Sequence, residues 1–471
     1  MQHTCDIAIV GTGAAGSAAA LAAVETDPDL DVLVVERATE GEHGGNTRYT
    51  DAYMRLDENG EPADGFVGDF ETFSGGHVDT DIVRTLRDRA TETIRWVEEY
   101  GVEFHATETA FLTSNRPRLL PKGGGLAILE ALLDAATDRG VDVRYETTAE
   151  SIALSDDGSV SGLRVRDATG EPGVVEADVV FIASGGFEGN PRMLTTYLEG
   201  PVEELEPMAT GGTFNKGEGI EMALDAGGDT AGEFRKFHAS VADPRSDAPG
   251  PSVHAFPYGI VVNKHGERFV DEGARTVDEH YEYVARRIRR QPDGIAYFIF
   301  DQKLHDVPGI EHTILSEKEP YEATPDYAGG ADPLESTVRN LVEEIGDDID
   351  AAKLLETVEA YNDSVQPGEF VATDLDGKRA ETTPQKSNWA RKLDTPPFGA
   401  YPLTCVNVFT FGGIATDTHS RVINADDRPI PGLYAAGEVT GLYYDKYTGA
   451  TSVLRSLVFG RRGGAHAARW L

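Results

Sequence analysis

The sequence predicts an α/β fold in which both ends of the chain build one domain and the middle forms an inserted α+β lobe. Short β-branched runs alternate with helical patterns through the first part of the 471-residue chain, and several runs end in glycine-rich turns. From about residue 234 the sequence becomes richer in aromatic residues, proline and loops, and after residue 398 the strand–glycine–helix order returns. We therefore predict a discontinuous domain, residues 1–235 and 399–471, around a capping domain of residues 236–398.

Strand and helix patterns follow one another along the discontinuous domain. Apolar β-branched runs, typical of buried parallel strands, alternate with stretches of helical periodicity. The predicted strands are residues 6–10, 32–36, 141–145, 159–166, 174–182 and 432–436, and the predicted helices are residues 14–24, 81–100, 127–137 and 452–470. The first three elements form a βαβ unit.

A glycine motif joins the first strand to the first helix. Gly11, Gly13 and Gly16 have the spacing Gly-x-Gly-x-x-Gly, and Glu36 ends the next strand twenty residues after Gly16. The first glycine allows a tight turn, the second lets a pyrophosphate approach the backbone, and the third lets the helix pack on the strand. The helix N-terminus attracts phosphate charge, and the acidic side chain can accept hydrogen bonds from ribose hydroxyls. The discontinuous domain is therefore predicted to be Rossmann-like and to bind a dinucleotide, NAD or FAD.

Two later segments favour FAD. A strand from residue 432 closes on Gly437 and Glu438, which places a carboxylate where it can reach a polyol chain. The last helix opens at Ser452, Val453 and Leu454. A helix N-terminus beside a flavin pyrimidine ring stabilises the anionic reduced form through its dipole and free N–H groups.

The chain is strongly acidic. It contains 81 Asp and Glu against 42 Lys and Arg, a formal net charge of −39 at pH 7. A field of this sign repels phosphate backbones and anionic membrane surfaces, so we expect no nucleic-acid partner. Molar salt shortens the screening length to about 3 Å and so relieves self-repulsion. The composition therefore predicts a halophilic protein of a salt-rich cytoplasm.

Cysteine and hydropathy patterns exclude other classes. With only Cys5 and Cys405, the sequence has no disulfide framework and no clustered-cysteine motif for zinc, c-type haem or iron–sulfur. The apolar run at residues 7–24 lacks a basic flank and contains the three motif glycines, which indicates strand, turn and helix rather than a membrane span. We therefore expect a cytoplasmic protein that is not an integral membrane protein, in which any redox chemistry needs a bound carrier.

Two segments carry a family resemblance. They are residues 44–56 (GGNTRYTDAYMRL) and residues 441–460 (GLYYDKYTGATSVLRSLVFG). Together with the terminal motifs they resemble the flavoprotein family of fumarate reductases and succinate dehydrogenases, and within it the FAD-dependent tricarballylate dehydrogenases. The resemblance implies these FAD-binding residues: Gly11, Gly13, Ala14, Ala15, Gly16, Glu36, Arg37, Gly45, Asn46, Thr47, Ala149, Ala183, Ser184, Gly185, Gly437, Glu438, Ser452, Val453 and Leu454.

The resemblance also implies a reaction and its catalytic residues. Hydride passes between flavin N5 and one carbon of a C–C bond next to a carboxylate or carbonyl, and a capping-domain arginine exchanges a proton with the other carbon. Residues 263–275 match the segment that carries this arginine, which gives the role to Arg275; a surface arginine balancing nearby acids is the alternative. His238 matches a histidine that binds a substrate carboxylate, with a structural histidine as the alternative. Tyr447 stands where the family has a carboxylate-binding arginine, and Arg455 follows one to two turns later.

Other positions depart from fumarate reductases. Phe409 replaces a second substrate histidine, and Ser252 and Ala255 stand where those enzymes have a glutamate–arginine proton relay. These replacements argue against fumarate itself as the substrate. A pocket for a bulkier or less charged substrate, or else simple tyrosine packing, is predicted around Tyr443, Tyr444 and Tyr447.

The cofactor, the electron partner and three functions follow from the resemblance. Asn46 stands where covalently flavinylated relatives have histidine, so we expect non-covalent FAD. Without haem or iron–sulfur motifs, electrons must pass to or from a separate electron-transfer partner or a quinone-linked acceptor. The leading function is desaturation or reduction of a small polycarboxylic acid, tricarballylate-like or fumarate/succinate-like. The alternatives are a ketosteroid-type 1,2-desaturase, which uses tyrosines as acid and base, and a flavoprotein with a non-redox or sensing role.

Overall fold

The computed structural model describes residues 2–107, 118–326, 332–346 and 349–471. In these ranges the strands are β1 (Gln2–Val10), β2 (Val32–Val35), β3 (Phe104–Thr107), β4 (Arg118–Pro121), β5 (Asp142–Arg144), β6 (Thr148–Leu154), β7 (Val160–Arg166), β8 (Pro172–Ile182), β9 (Thr230–Ala231), β10 (Phe237–Ala242), β11 (Ile260–Asn263), β12 (Ile295–Asp301), β13 (Tyr321–Ala323), β14 (Phe398–Thr410), β15 (Gly413–Ile414), β16 (Arg421–Ile423) and β17 (Pro429–Ala435). The α-helices are α1 (Ala14–Thr26), α2 (Gly45–Tyr49), α3 (Phe66–Phe73), α4 (Thr80–Glu99), α5 (Gly124–Thr137), α6 (Pro191–Tyr197), α7 (Glu218–Asp225), α8 (Val277–Ile288), α9 (Pro333–Ile345), α10 (Ala351–Ser364) and α11 (Ser452–Trp470). None of the helices in these ranges is long and apolar enough to span a bilayer.

The larger sheet is formed by strands from both ends of the chain. Its order is β16-β17-β8-β1-β2-β5, with β7 and β6 added beside β8. Strands β17, β8, β1, β2 and β5 run parallel, and the register sets Ile9 opposite both Val34 and Phe181. Every residue of β2 is buried, as expected for a parallel strand covered on both faces. The carboxyl ends of the parallel strands therefore meet at one edge, where ligands bind in open α/β sheets.

The first and last helices lock the two ends of the chain together. Helix α11 packs against α1 through glycines. A Cβ on Gly460 would lie 2.4 Å from the Ala15 carbonyl oxygen, and one on Gly464 would lie 2.2 Å from the Ala19 carbonyl oxygen. Because any larger side chain would separate the helices, this contact fixes the C-terminal helix on the N-terminal βαβ unit.

The smaller sheet forms the core of a capping lobe. Its order is β10-β14-β12-β11 with β13 beside β14, and all of its pairs are antiparallel. Helices α9 and α10 pack with it around a core that includes Ile299, Leu341 and Val358. Helix α8 packs beside β10 on another side of the sheet.

The α/β fold with an inserted α+β lobe is as the sequence predicted, and differences lie at element ends. Helix α5 begins at Gly124 rather than at residue 127. Its first residues are glycines because the backbone of residues 47–50 leaves no room for side chains there, so the sequence carries no helical pattern at these positions. A Cβ on Gly125 would lie 2.1 Å from the Thr47 carbonyl oxygen. Strand β14 belongs to the smaller sheet through Thr410, so that sheet continues past the predicted domain boundary at residues 398 and 399.

Candidate active site

A cavity of about 590 Å³ lies between the carboxyl edge of the larger sheet and the capping lobe. At one end it is lined by the turns after β1, β2 and β8 and by the starts of α1, α2 and α11; we call this the glycine-rich end. At the other it is lined by side chains of the capping lobe and of the loops facing it; we call this the interdomain end. The lining of the interdomain end includes Arg55, Arg118, His238, Ser252, His254, Asp278, Tyr281, Phe409 and Tyr447.

The glycine-rich end begins at the turn between β1 and α1. Gly11 has φ +101°, and a Cβ there would lie 2.5 Å from the Ala183 carbonyl oxygen. A Cβ on Gly16 would lie 1.9 Å from the Gly11 carbonyl oxygen, so the helix and the turn are in direct backbone contact. Gly13, the N-cap of α1, provides no side-chain cap, and the first turn of the helix contains no acidic residue. This N-terminus is therefore open to a phosphate group on the cavity side.

Glu36 and Arg37 lie next to this turn at the end of β2. The Glu36 carboxylate is buried and accepts hydrogen bonds from the Thr12 N–H (3.0 Å) and hydroxyl (2.7 Å) and from the Ala38 N–H (2.9 Å). Arg37 donates to the Phe214 carbonyl (2.9 Å) and to Glu218 (2.7 Å). Since a carboxylate offers about four acceptor positions, Glu36 can still accept from a ribose hydroxyl.

The turn after β8 and helix α2 complete the glycine-rich end. Gly185 has φ +73°, and a Cβ there would lie 2.5 Å from Asn215 Oδ1. The Thr47 hydroxyl accepts from the Ala14 N–H (3.1 Å), which ties α2 to the start of α1. The Asn46 amide donates to Glu188 (2.7 Å) and to the Val408 carbonyl (3.1 Å).

Two buried carboxyl groups lie next to Asn46. Its amide nitrogen is 2.7 Å from Glu188 Oε1 and 3.4 Å from Glu438 Oε2, and Glu438 also accepts from the Thr410 N–H (2.9 Å). Within the described residues, Glu188 Oε2 is buried without a hydrogen-bond partner. Burial, followed by the neighbouring Glu438, raises the pKa of Glu188 well above its usual range. Burial also raises the pKa of Glu438, so both carboxyl groups bind a proton more readily than they would in water.

The N-terminus of α11 reaches the cavity beside Tyr447. The Tyr447 hydroxyl accepts from the N–H groups of Thr451 (2.9 Å) and Ser452 (3.0 Å) and donates to the Ser452 hydroxyl (3.1 Å). Arg455 is buried one turn further along, donates to the Thr440 carbonyl (3.1 Å), and lies 4.7 Å from the centre of the Tyr443 ring. The helix therefore contributes both its N-terminus and a guanidinium group to the cavity wall.

The residues predicted around FAD come together in this wall. The lining includes Gly11, Gly13, Ala14, Ala15, Glu36, Arg37, Gly45, Asn46, Thr47, Ala149, Ala183, Ser184, Gly185, Gly437, Glu438, Ser452 and Val453. Gly16 and Leu454 lie behind it, in the helix–turn contact and in the core. A helix N-terminus whose N-cap is a glycine, a backbone that side chains would fill and a ribose-directed carboxylate are the features that a dinucleotide requires, so the site fits FAD.

The interdomain end is rich in aromatic rings and histidines. His238 Nε2 lies 2.7 Å from the Tyr281 hydroxyl, and the His238 ring lies 4.4 Å from the Tyr447 ring and 4.9 Å from the Phe409 ring, centre to centre. Burial, then Arg286 and His254, lower the pKa of His238 well below its usual range, and burial raises that of Tyr281. Both side chains are therefore neutral at physiological pH and are joined by a hydrogen bond.

His254 forms a second polar group beside this pair. Its Nε2 lies 3.2 Å from the Ser240 hydroxyl, which is 3.4 Å from the Ser252 hydroxyl, and its ring lies 5.0 Å from the Tyr281 ring. Burial lowers the pKa of His254 to about 4, so this imidazole is also neutral.

Several predicted site residues lie elsewhere. Arg275 is exposed, just before the N-cap of α8, and is not part of the cavity lining, so the structure does not bring it to the site. Tyr443 is buried between Phe70 and Phe411, Tyr444 faces away from the cavity, and Ala255 lies in the core of the capping lobe. Of the three predicted tyrosines only Tyr447 lines the cavity, and the other tyrosines of its lining are Tyr49, Tyr53 and Tyr281.

Sequence reasoning missed the charged residues of the interdomain end. Arg55 and Arg118 line the cavity with 3% and 4% of their surface exposed, and Asp278 and Tyr281 face them from the first turns of α8. Arg55 lies within the segment that carries the family resemblance, so its position was a usable signal. Arg118 has no local motif, because only tertiary packing brings β4 to the cavity.

Comparisons with known proteins agree with the fold and with an FAD cofactor. The family model for an FAD binding domain matches residues 6–452. The NADH:fumarate oxidoreductase of Klebsiella pneumoniae is 30% identical over 98% of this chain, which spans only 48% of that relative. The vinyl phenol reductase of Lactiplantibacillus plantarum is 28% identical over 99% of this chain and 96% of its own length. The fumarate reductase (cytochrome) of Shewanella frigidimarina is 28% identical over 100% of this chain and 78% of its own length.

Solved structures share the fold. The open conformation of a flavocytochrome c3 fumarate reductase superposes with a TM-score of 0.79 at 24% identity, over 99% of this chain and 78% of that one. A 3-ketosteroid Δ1-dehydrogenase of Sterolibacterium denitrificans superposes with a TM-score of 0.74 at 19% identity, over 99% of this chain and 100% of that one.

Proposed function

The chain belongs to the FAD binding domain family, and from that membership we propose that it interconverts a CH–CH unit and a C=C bond next to the carboxylate of a small organic acid. The cofactor is FAD, which supplies or accepts the hydride at its N5 when bound. The observation that carries the proposal is the single cavity that joins the FAD-compatible glycine-rich end to a buried tyrosine–histidine pair and two buried arginines.

The chain's own residues hold the cofactor in this proposal. The N-terminus of α1 would hold the pyrophosphate, and Glu36 would accept hydrogen bonds from the adenosine ribose. Asn46 keeps its amide on Glu188 and on the Val408 carbonyl, and an amide provides no nucleophile for a covalent link. FAD is therefore held without a covalent bond, and acid precipitation of the purified protein should release all of the yellow colour into the supernatant.

Tyr281 is the residue we assign to the proton. Its hydroxyl is neutral, lines the cavity and is bonded to His238 Nε2 (2.7 Å). In the reducing direction it gives a proton to the carbon that does not receive hydride, and His238 stabilises the phenolate through that bond; in the oxidising direction the proton returns. Arg275, to which the resemblance gives this role, is exposed outside the cavity.

The substrate is proposed to be a small acid with an apolar or ring-shaped body. His238, Phe409 and Tyr447 form an aromatic wall, and the two arginines supply positive charge for a carboxylate. One relative acts by name on fumarate, so tricarballylate-like and fumarate-like acids belong in a first screen. Electrons are proposed to come from, or go to, a separate electron-transfer protein or a quinone-linked partner.

An anaerobic assay tests the function. The FAD-loaded protein is mixed with succinate, tricarballylate, 4-oxocyclohexanecarboxylate or a 3-ketosteroid and a dye acceptor, and the reduced form is mixed with fumarate or aconitate. The proposal expects one of the acids to bleach or restore the flavin absorbance near about 450 nm. Turnover of the steroid alone would make the protein a ketosteroid-type desaturase, which the aromatic wall also accommodates. No flavin response to any compound would favour a non-redox or sensing role.

A further inference from the structure

Two buried arginines lie side by side at the interdomain end. Met54 and Leu119 form an antiparallel bridge and exchange both backbone hydrogen bonds (2.8 and 3.1 Å). Arg55 and Arg118 are one residue beyond this bridge on the two strands, which are opposed positions in an antiparallel pair. Both side chains line the cavity, with 3% and 4% of their surface exposed. Two like charges opposite each other destabilise a strand pair unless anions neutralise them.

Among the described residues, Asp69 lies beside Arg55 and Asp278 lies near Arg118, and the two arrangements differ. Arg55 Nη2 is in direct contact with Asp69 on its own side of the cavity, and its Nη1 lies 3.4 Å from the Gly449 carbonyl oxygen. Arg118 Nη2 lies 4.0 Å from Asp278 of the capping lobe, beyond hydrogen-bonding distance. Arg55 is therefore held in place from behind, whereas Arg118 faces a carboxylate across the space between the domains.

The arginine pair is connected to both ends of the cavity. The Arg55 N–H donates to the Ala450 carbonyl (2.7 Å), in the loop that leads into α11 at the glycine-rich end. Asp278 precedes Tyr281 by three residues on α8, so both project from one face of that helix. An anion held by the arginines would thus lie between the loop before α11 and the proton-exchanging tyrosine.

We propose that Arg55 and Arg118 together bind one carboxylate of the substrate, and that this carboxylate replaces Asp278 as the partner of Arg118. The inference rests on the proposed function and adds the group that the site recognises. Planar guanidinium groups match a carboxylate with two parallel N–H···O bonds, which a histidine or lysine cannot reproduce. Asp278 then acts as an internal competitor that neutralises Arg118 while the site is empty of acid.

Binding of malonate to the oxidised, FAD-loaded protein tests the site. Malonate carries carboxylates but no CH–CH bond to oxidise, and malonamide is its uncharged analogue. We expect malonate, and not malonamide, to perturb the flavin spectrum. Arg118→Gln and Arg55→Gln should each weaken malonate binding about 10- to 100-fold, the loss expected when one charge-assisted hydrogen-bonded pair is removed. Arg84→Gln, an exposed arginine paired with Asp81, is the control and should bind malonate like the wild type.

Asp278→Asn should change the malonate affinity in the direction opposite to the two glutamine variants. Removing the competing carboxylate should tighten malonate about 3- to 10-fold, whereas a purely structural interdomain ion pair would give no gain. This variant keeps the test decisive if either glutamine variant fails to retain FAD.

The outcomes separate the inference from the proposed function. Unchanged malonate affinity in folded Arg55→Gln and Arg118→Gln proteins, together with no gain in Asp278→Asn, would overturn the arginine site, even if an acid is turned over. Failure of malonate to bind the wild type would overturn it as well. Absence of redox turnover with all acids, alongside arginine-dependent malonate binding, would instead overturn the reaction and leave the site intact.

Discussion

At the glycine-rich end of the cavity the chain presents mainly backbone, whereas at the interdomain end it presents side chains from two domains. Gly11 and Gly16 bring main chain to within 1.9–2.5 Å of where a Cβ would be, so the first surface depends on the absence of side chains. The second depends on which side chains distant parts of the chain bring together, such as His238 on β10 and Arg118 on β4. Substitutions at the first end should therefore act on cofactor retention and folding, and those at the second on chemistry and specificity.

Tyr281→Phe should have the largest effect of the changes considered. The phenyl ring fills the same space but cannot give or take the proton, so turnover should fall by about 10²- to 10⁴-fold, or about 3–5 kcal/mol in the barrier. FAD content and thermal midpoint should stay close to wild type. Anaerobic steady-state kinetics with the acid identified in the screen measure this.

Two further variants sharpen that result. Tyr283→Phe removes an exposed hydroxyl from the same helix and should leave kcat unchanged. Arg275→Lys tests the role that the family resemblance implies, because a flexible ammonium cannot replace a guanidinium fork. If this lysine variant loses turnover while Tyr281→Phe keeps it, the proton belongs to Arg275, and the interdomain end must rearrange to bring it in.

Gly11→Ala tests the backbone surface. The new Cβ would meet the Ala183 carbonyl oxygen at 2.5 Å and would sit at φ +101°, a region that alanine rarely adopts. We expect a loss of about 2–4 kcal/mol in the free energy of unfolding and a protein that is purified largely without FAD. Chemical denaturation and the ratio of absorbance at the flavin and protein bands measure the two effects.

Gly68→Ala is the matched control for the glycine change. Gly68 lies within α3, has no heavy atom within 4 Å of its would-be Cβ and has an ordinary backbone conformation. Alanine there should stabilise the protein by about 0.5–1 kcal/mol and leave FAD bound. Equal FAD loss in both variants would contradict a specific role for the turn at Gly11.

The same contrast explains what could be predicted from the sequence. The glycine-rich end follows local rules: spacing in Gly11-x-Gly13-x-x-Gly16 and the acidic end of β2 specify turn, helix start and ribose acceptor within one βαβ unit. Helix α11 was predicted at residues 452–470 because its N-terminal signal is also local. The fold and its FAD cofactor therefore followed from short segments.

The interdomain end depends on tertiary placement. Motif transfer gave a role to Arg275 from its sequence position alone, but α8 begins one residue after its Thr276 cap and leaves Arg275 exposed. Tyr281 reaches the cavity because it is on the buried face of α8, and Arg118 because β4 bridges residue 54. Neither contact is encoded by a local pattern, so sequence reasoning found His238 and Tyr447 but not their partners.

Glu188→Gln examines a buried group where backbone and side-chain surfaces meet. The folded-state pKa of Glu188 is raised above its usual 4.5, chiefly by burial, so its contribution to stability is complete below pH 4.5 and is lost as pH rises through the raised pKa. Gln cannot ionise and keeps the Asn46 neighbour. Relative to wild type, the variant should therefore gain up to about 1–3 kcal/mol at pH 8 and nothing at pH 4.5.

Thermal midpoints between pH 4.5 and pH 9 test this sign. Glu71→Gln, an exposed glutamate of α3, removes the same charge from the surface and controls for net charge. A pH-independent difference in thermal midpoint between Glu188→Gln and wild type would contradict a raised pKa at Glu188. A larger gain in thermal midpoint at low pH than at high pH would indicate that the pKa of Glu188 is lowered rather than raised.

Of the changes considered, added potassium chloride should have the smallest effect on stability per charged group. It acts on surface charges, outside both ends of the cavity. The net charge of −39 reflects an excess of acidic over basic side chains, and exposed pairs such as Arg84–Asp81 contribute little. Raising KCl from 0.1 to 2 M should therefore raise the thermal midpoint by about 5 °C or more, whereas an equally concentrated neutral osmolyte should do less. Because Glu188 and Glu438 are shielded from the solvent, the pH-dependent difference in thermal midpoint between Glu188→Gln and wild type should persist in high salt. A midpoint that stays constant or falls with KCl would contradict a fold limited by surface repulsion.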